Sequence, residues 1–255
     1  MRLRQVALIA HQIEPVVGQL KTVFDLNVAF QDPAVEIFGL KNAVIPVGGE
    51  FLEVLEPFRD DASGARYLAR RGGDAGYMVI LQDADSYAHR DRLAAAGVRV
   101  IAKNTHDPYR FTHFHPANCN GVLLSIDSIE GDVNWQAPQS DWLAAGRDWR
   151  RHESGESLGV PSVTIQARDP VAACENWTRL LDRPARTGGD TLEIALERGA
   201  IRFVAPVDED GTGVVALDIE VKDPDAALER ARAAGLPVAA GTVEICGVAM
   251  RPITV

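Results

Sequence analysis

The chain of 255 residues has few cysteines, few aromatics and a deficit of positive charge, and each shortage removes a class of explanation. Its three cysteines, Cys119, Cys174 and Cys246, are odd in number and far apart. They form neither a disulfide framework nor a zinc motif, and are expected as free thiols, buried or partly exposed. Lysine and arginine total 26 against 36 aspartates and glutamates, a net charge of −10 with no basic block. Nucleic acid is therefore not an expected partner. No apolar run approaches the roughly 20 residues that span a bilayer. The run Val6–Ala10, behind the basic start Met1-Arg2-Leu3-Arg4, is too short for a signal-peptide core. This reading places the protein in the cytoplasm, away from membranes. Neither a Gly-x-x-x-x-Gly-Lys loop nor a Gly-x-Gly-x-x-Gly turn occurs, so nucleotide chemistry has no support. Gly155-Glu156-Ser157-Leu158-Gly159 has the spacing of a hydrolase nucleophile, but a polar stretch precedes it and a strand follows, so it reads as coincidence.

What the chain does have is apolar content, 46% of residues, enough for one or two real cores. One stretch carries unusual information. Glu50–Pro57 follows a Gly48-Gly49 turn and stops at Pro57, so it reads as a short strand with defined ends. Alternation puts Phe51, Glu53 and Leu55 on one face and Leu52, Val54 and Glu56 on the other. A carboxylate between two large apolar side chains is costly to bury alone, so Glu53 is expected to face a polar group, a metal or a ligand.

The surrounding chain repeats one order. Val6–His11 reads as a strand, Glu14–Asp25 as an amphipathic helix, and Asn42–Val47 and Glu50–Pro57 as strands; the stretch between Leu26 and Leu40 has room for another. After an Arg70-Arg71-Gly72-Gly73 turn come a strand at Gly76–Leu81, a helix at Ser86–Ala96 stopped by Gly97, and strands at Val98–Ala102, Tyr109–His115 and Val122–Asp127. A third round opens at Val160–Ala167, with Asp169-Pro170 as helix cap and first helical residue, a helix to Leu181, and strands at Thr191–Leu196 and Ala200–Ala205. A fourth runs through Val214–Val221, Asp223-Pro224, the helix Asp225–Ala234 and further extended segments. Ala94-Ala95-Ala96-Gly97-Val98 matches Ala233-Ala234-Gly235-Leu236, and Leu55-Glu56-Pro57 matches Val204-Ala205-Pro206. The fold class is therefore α+β, four βαβββ modules paired into two half-barrels, because one module's sheet is too small to bury its own face. The expected division is residues 1–128, a connector at 129–157, and a second unit at 158–255. Modules can pair within one chain, between the chains of a homodimer, or both. The connector holds Trp135, Trp142 and Trp149, which either pin it onto the domains or cover the mouth of a ligand cup.

Paired βαβββ modules, Asp-Pro caps, a Leu-x-x-Ala-Gly-Val helix end and the strand Leu52-Glu53-Val54-Leu55-Glu56-Pro57 resemble the vicinal oxygen chelate superfamily. That group includes glyoxalase I, bleomycin-resistance proteins, methylmalonyl-CoA epimerase and extradiol dioxygenases. Phe114-His115-Pro116 with Gly121-Val122-Leu123-Leu124 looks most like the last hairpin of the epimerase and glyoxalase members. The resemblance implies four cup-facing positions per half-barrel that hold a divalent metal. In the first half they are Gln5, Glu53, Tyr77 and Ser125. Gln5 and Glu53 are ligand types, whereas Tyr77 and Ser125 replace the expected His and Glu. A divalent metal thus has at most Gln5 and Glu53, and no cofactor is assigned. The matching positions of the second half, Ser162, Arg202, Ala216 and Arg251, cannot hold a cation, so that half is structural or binds an anion.

The resemblance implies a small-molecule ligand, a carbonyl or carboxylate compound, in the first cup. Glu53 is the expected general base, its pKa raised by Phe51 and Leu55. Gln5, Tyr77, His113 and Ser125 are expected to contact the ligand, with His115 a second catalytic group. His113 and His115 share a strand face with Phe111 and are open to three readings: metal ligands, proton shuttles or hairpin supports. His106 lies in the adjoining loop. Arg66, Arg70 and Arg71 are expected as a solvated face near the module boundary. An enzyme of the lyase or isomerase kind is the first reading; a non-catalytic binding protein of the bleomycin-resistance type is the alternative.

Overall fold

Three aspartates start three of the helices, and each does so in the same way. Asp85 accepts hydrogen bonds from the amides of Tyr87 and Ala88, Asp169 from Ala172, and Asp223 from Ala226, the last two with proline in the first turn. Each such cap satisfies an amide with no intrahelical partner and contributes about 1 kcal/mol. The computed structural model describes residues 1–104, 108–188 and 191–254, so His106 lies outside the described residues.

The first half of the chain runs β1 (Arg2–Ile9), α1 (Ile13–Phe24), β2 (Leu40–Val47), β3 (Glu50–Pro57), α2 (Ser63–Arg71), β4 (Ala75–Gln82), α3 (Ser86–Ala95), β5 (Val100–Lys103), β6 (Tyr109–Phe114) and β7 (Leu123–Ile129). Its strands form one sheet in the order β2-β3-β1-β4-β7-β6-β5. The second half runs β8 (Ser157–Ala167), α4 (Pro170–Leu181), β9 (Ala185–Gly188), β10 (Thr191–Ala195), β11 (Ala200–Val204), β12 (Thr212–Val221), α5 (Pro224–Ala233), β13 (Val238–Ala239), β14 (Thr242–Ile245) and β15 (Val248–Thr254). Its sheet has the order β13-β14-β15-β12-β8-β11-β10-β9. In both halves the first strand of one module pairs antiparallel with the first strand of the next, β1 with β4 and β8 with β12. The modules therefore pair within the chain, giving the expected α+β pair of open, cup-shaped sheets.

Two segments depart from the sequence reading. The stretch between Leu26 and Leu40 holds a 3₁₀ turn at Pro33–Phe38, entered through Asp32 and ended by Gly39 at positive φ, and only an isolated bridge from Phe30 to Val44. Pro33 lacks an amide for a ladder, which is why no full strand forms there. The segment around Arg66, Arg70 and Arg71 is the helix α2, closed by Gly72, and its short length hid it. Arg71 is no solvated residue: its guanidinium pairs with Asp208 at 2.9 Å and Asp210 at 2.6 Å, tying α2 to the second half.

Alternation divides each sheet cleanly. Leu52, Val54, Val79, Leu81, Leu124 and Ile126 of the first sheet and Val163, Ile165, Ile201, Phe203, Leu217 and Met250 of the second share one apolar core. Helices α1, α3, α4 and α5 cover that face, so both cups turn away from it. Cys119, Cys174 and Cys246 are buried free thiols. Among the described residues no helix is long and apolar enough to cross a membrane.

The Gly48-Gly49 turn that introduces β3 is also where three parts of the chain meet. Gly48 has φ +62°, and a Cβ there would sit 2.0 Å from the Leu158 carbonyl oxygen on β8. A Cβ on Gly49 would sit 2.5 Å from the Pro138 carbonyl oxygen in the connector. Gly48→Ala is accordingly expected to lower unfolding free energy by about 3 kcal/mol or more, combining left-handed strain with a backbone clash. Urea unfolding measures it, and a change under about 1 kcal/mol would mean the turn is not held against β8.

Candidate functional site

The first cup is built from the polar face of the strand that holds Glu53. Register places Gln5 beside Phe51, Ala7 beside Glu53 and Val44 across from Glu53. Glu53 is 6% exposed. Its Oε2 accepts from Gln5 Nε2 at 2.8 Å and its Oε1 from Asn42 Nδ2 at 2.6 Å. Both partners are uncharged. Burial therefore dominates and raises the Glu53 carboxyl above its usual range, against the two amide bonds and with a smaller push from Asp32.

A second carboxylate shares the cup. Asp127 lies two residues beyond Ser125 on β7, opposite Phe111, and is 1% exposed. Tyr109 donates its hydroxyl to Asp127 Oδ2 at 2.6 Å, and Ser125 Oγ donates to Oδ1. Burial pushes Asp127 up to about 7, despite those bonds and one from the Thr112 amide, and the Glu53 charge adds to the rise. Burial, then the adjacent Asp127, push the Tyr109 hydroxyl well above its ordinary value. Asp127 was not singled out from sequence, yet the alternation that exposed Glu53 also places Leu123, Ser125 and Asp127 on one face.

The connector closes this cup. Trp142 and Trp149 are each 1% exposed and pack with Phe51, Tyr77, Tyr109 and Ile80 in a second apolar cluster. The Trp142 indole donates to Gln5 Oε1 at 2.7 Å and meets the Tyr109 ring edge-on at 5.5 Å. Trp149 meets Phe51 edge-on at 4.9 Å. Trp135 is half-buried and contributes its backbone carbonyl instead. Two fully buried arginines of β1 hold the segment from below. Arg2 donates to the carbonyls of Ala137 and Gly49 and to Glu50, and Arg4 to those of Gly49 and Ser140. The Arg4 guanidinium also lies 5.1 Å from the Phe51 ring centre and 5.2 Å from that of Trp142. Of the two sequence readings of the tryptophans, the structure gives both roles to Trp142: it pins the connector and covers the cup.

The remaining expected residues separate. Gln5 bonds Glu53, while Ser125 Oγ donates to the Thr112 carbonyl and to Asp127. Tyr77 sits at a bulge in the pairing of β1 with β4, its ring edge-on to Tyr67 at 5.0 Å. His113 pairs with Ser125 across β6 and β7, and its half-buried ring lies 4.7 Å from Phe111 and 5.9 Å from Phe38. Burial lowers it to about 4, so it is a neutral imidazole at neutral pH. His115 follows the last residue of β6, its backbone still extended and its amide donating to the Arg99 carbonyl at 2.9 Å. Its Nδ1 accepts from the Ala117 amide at 3.0 Å and caps a 3₁₀ turn at Pro116–Asn118. Of the readings open for His115, the hairpin support is the one its contacts show. Ser157 starts β8 and donates its hydroxyl to the Phe24 carbonyl at 2.6 Å, so no strand–turn–helix elbow surrounds the hydrolase-like spacing.

A divalent metal at Gln5 and Glu53 does not fit this arrangement. Glu53 Oε1, Glu53 Oε2 and Gln5 Oε1 each accept a hydrogen bond, from Asn42, Gln5 and Trp142. Two ligand-type side chains fall short of the three protein groups that a catalytic metal site needs, and Tyr77 and Ser125 face other partners. Among the described residues no group of three or more His, Cys, Asp or Glu side chains is placed to hold one.

No protein-family model matches the chain, and no curated protein matches its sequence. Solved structures do match. A hypothetical protein from Staphylococcus aureus superposes over 100% of this chain and 99% of its own, at 10% identity and a TM-score of 0.69. The shared fold is a pair of open sheets, each built from two modules of one chain. Streptomyces coelicolor methylmalonyl-CoA epimerase in complex with 2-nitronate-propionyl-CoA matches 51% of the chain and 99% of its own length, at 22% identity and a TM-score of 0.47. The Mycobacterium tuberculosis methylmalonyl-CoA epimerase matches 50% of the chain and 87% of its own, at 18% identity and a TM-score of 0.46. At 10% identity the likeness to the Staphylococcus aureus protein is one of fold alone.

Proposed function

We propose that the first cup of this vicinal oxygen chelate fold is a metal-free proton-transfer site for a small carbonyl or carboxylate compound, an isomerase-type activity. The observation that carries this reading is the pair of buried carboxylates, Glu53 and Asp127, both raised by burial in one water-poor cup. A carboxylate held only by amides keeps its basicity, and one that titrates near neutrality can return a proton to the opposite face of the same carbon. Glu53 is the base beside the carbonyl. Gln5 and Asn42 orient it. Asp127, with Tyr109 and Ser125 fixing its two oxygens, is the acid–base partner, and neutral His113 contacts the ligand at the half-open side of the cup.

A ligand that reaches Glu53 displaces the Trp142 indole from Gln5 Oε1, so binding changes tryptophan fluorescence. Deuterium exchange into small 2-substituted carbonyl and carboxylate compounds, followed by NMR, tests the chemistry. Glu53→Gln is expected to slow exchange by about 100-fold or more while leaving the circular dichroism spectrum unchanged. Exchange that is equally fast in the variant rules Glu53 out as the base.

The filled cup favours a second reading, a non-catalytic binding protein of the bleomycin-resistance kind. Under it, a ligand shifts the fluorescence of Trp142, and no compound that binds exchanges a proton.

A further inference from the structure

The central strands of the two sheets follow the same order, β3-β1-β4-β7 in the first and β11-β8-β12-β15 in the second, so the second cup can be read against the first by register. In the first sheet Gln5 lies beside Phe51 and Ile80, and Ile80 beside Ser125. In the second, Ser162 lies beside Ala200 and Asp218, and Asp218 beside Arg251. Two residues beyond Phe51 is Glu53; two beyond Ala200 is Arg202. The replacement is a chemical inversion: arginine stands where the first cup has Glu53, and again where it has Ser125. The ring that fills the first cup, Phe51, becomes the methyl group of Ala200. The chain segment that plugs the first cup has no counterpart among the residues lining the second.

The result is an open cleft of about 550 Å³, lined by Arg202, Arg251, Glu193 and Asp218 with Thr164, Val204 and Ala216 among its walls. That is the size of a small-molecule site. Asp218 is nearly buried at the floor. Its Oδ2 accepts from Arg202 Nη1 at 2.5 Å and Ser162 Oγ at 2.8 Å, and its Oδ1 from Arg251 Nε at 2.8 Å. Burial raises this carboxyl, but the bonds from Arg251, Ser162 and Arg202 outweigh it and hold it below its usual range, so it stays ionised. Glu193 takes Arg202 Nε at 2.9 Å. The carboxylates thus take Nε and Nη1 of Arg202, on two sides of its guanidinium, and Nε alone of Arg251. None of these hydrogen bonds uses Arg202 Nη2 or the two Nη groups of Arg251, and both residues line the cleft.

We infer that the second cup is a binding site for a small molecule bearing an oxyanion group, held by the outward N–H edges of Arg202 and Arg251, with Val204 and Ala216 against its carbon skeleton. With both guanidiniums fixed by one buried carboxylate, the two Nη groups of Arg251 are pre-organised for paired hydrogen bonds to carboxylate or phosphate oxygens, and Arg202 Nη2 adds a single one. Since Glu193 and Asp218 balance the two positive charges, recognition rests on this geometry and not on net charge. The inference is independent of any chemistry at Glu53.

Isothermal titration of the full chain with propionate, succinate and inorganic phosphate tests it. At least one probe is expected to bind, and which one separates an organic carboxylate from free phosphate as the source of the anion. Arg251→Ala, at a half-exposed residue, and Arg202→Gln are each expected to weaken that binding by about tenfold or more, the loss of charge-assisted hydrogen bonds. Glu53→Gln is expected to leave it unchanged. No binding of any probe up to about 10 mM, or binding that survives both arginine variants, overturns the inference.

Discussion

Trp142→Ala is expected to lower the unfolding free energy by about 3–5 kcal/mol, the range for removing a large buried aromatic. The side chain fills the first cup against Phe51 and Tyr109, and collapse is limited because the sheet beneath it is fixed by its ladder. A further contribution comes from Gln5 Oε1, which loses the indole N–H as donor while staying buried; an unsatisfied buried acceptor costs about 1–3 kcal/mol. Arg4 loses one of its two aromatic faces. Urea unfolding gives the number. Trp135→Ala, at the half-buried tryptophan, serves as control and is expected to change stability by less than about 1 kcal/mol. Equal effects at the two sites would mean that the connector is not seated in the cup through Trp142. The same variant opens the route to Glu53, so the two readings of function diverge on it. A proton-transfer site is expected to gain access and lose orientation, whereas a pure binding site loses affinity.

The second large effect is on pH dependence. The Asp127 carboxyl is pushed up to about 7 in the folded protein, from an ordinary 3.8. Its protonated form is the one the fold favours. The stability it contributes is therefore fully present below about pH 4 and is lost as pH rises through 7, because the native state binds more protons than the unfolded state in that window. The difference between the two values corresponds to about 4 kcal/mol. Glu53, also raised, acts in the same direction. Asp127→Asn removes the titration and keeps an oxygen for the Tyr109 hydroxyl. Between pH 4 and 8 the variant is expected to gain stability relative to the parent by about 4 kcal/mol, read from chemical denaturation at each pH. Parallel stability curves for the two proteins would show that Asp127 is not protonated in the fold.

How much of this was legible in the chain differs residue by residue. Glu53 was found because alternation in a short, well-bounded strand puts a carboxylate between Phe51 and Leu55, and local geometry is all that argument needs. Gln5 and Ser125 followed from the resemblance in module order. Asp127 obeys the same alternation as Glu53, but its strand is flanked by Ser125 and Ser128, so no apolar neighbours marked its burial. The strand read as far as His115 ends at Phe114, because a strand's end cannot be located to one residue from pattern alone. The helix α2 was missed because it is only nine residues long, and its burial depends on Tyr67 and Leu68 packing under the first cup.

The chain by itself determined the four modules, their α+β class, the Asp-capped helices and the face on which Glu53 stands. These follow from hydrophobic period, capping chemistry and repetition, all of which act over a few residues. Tertiary structure alone decided that the connector enters the first cup, that Arg2 and Arg4 are buried to hold it there, and that the second cup stays open with two arginines at its floor. Those outcomes depend on groups more than a hundred residues apart in sequence, such as Trp142 and Gln5 or Arg4 and Ser140. No local pattern encodes such a pairing. It is set by which surfaces the closed sheets leave for a tryptophan or a guanidinium to fill.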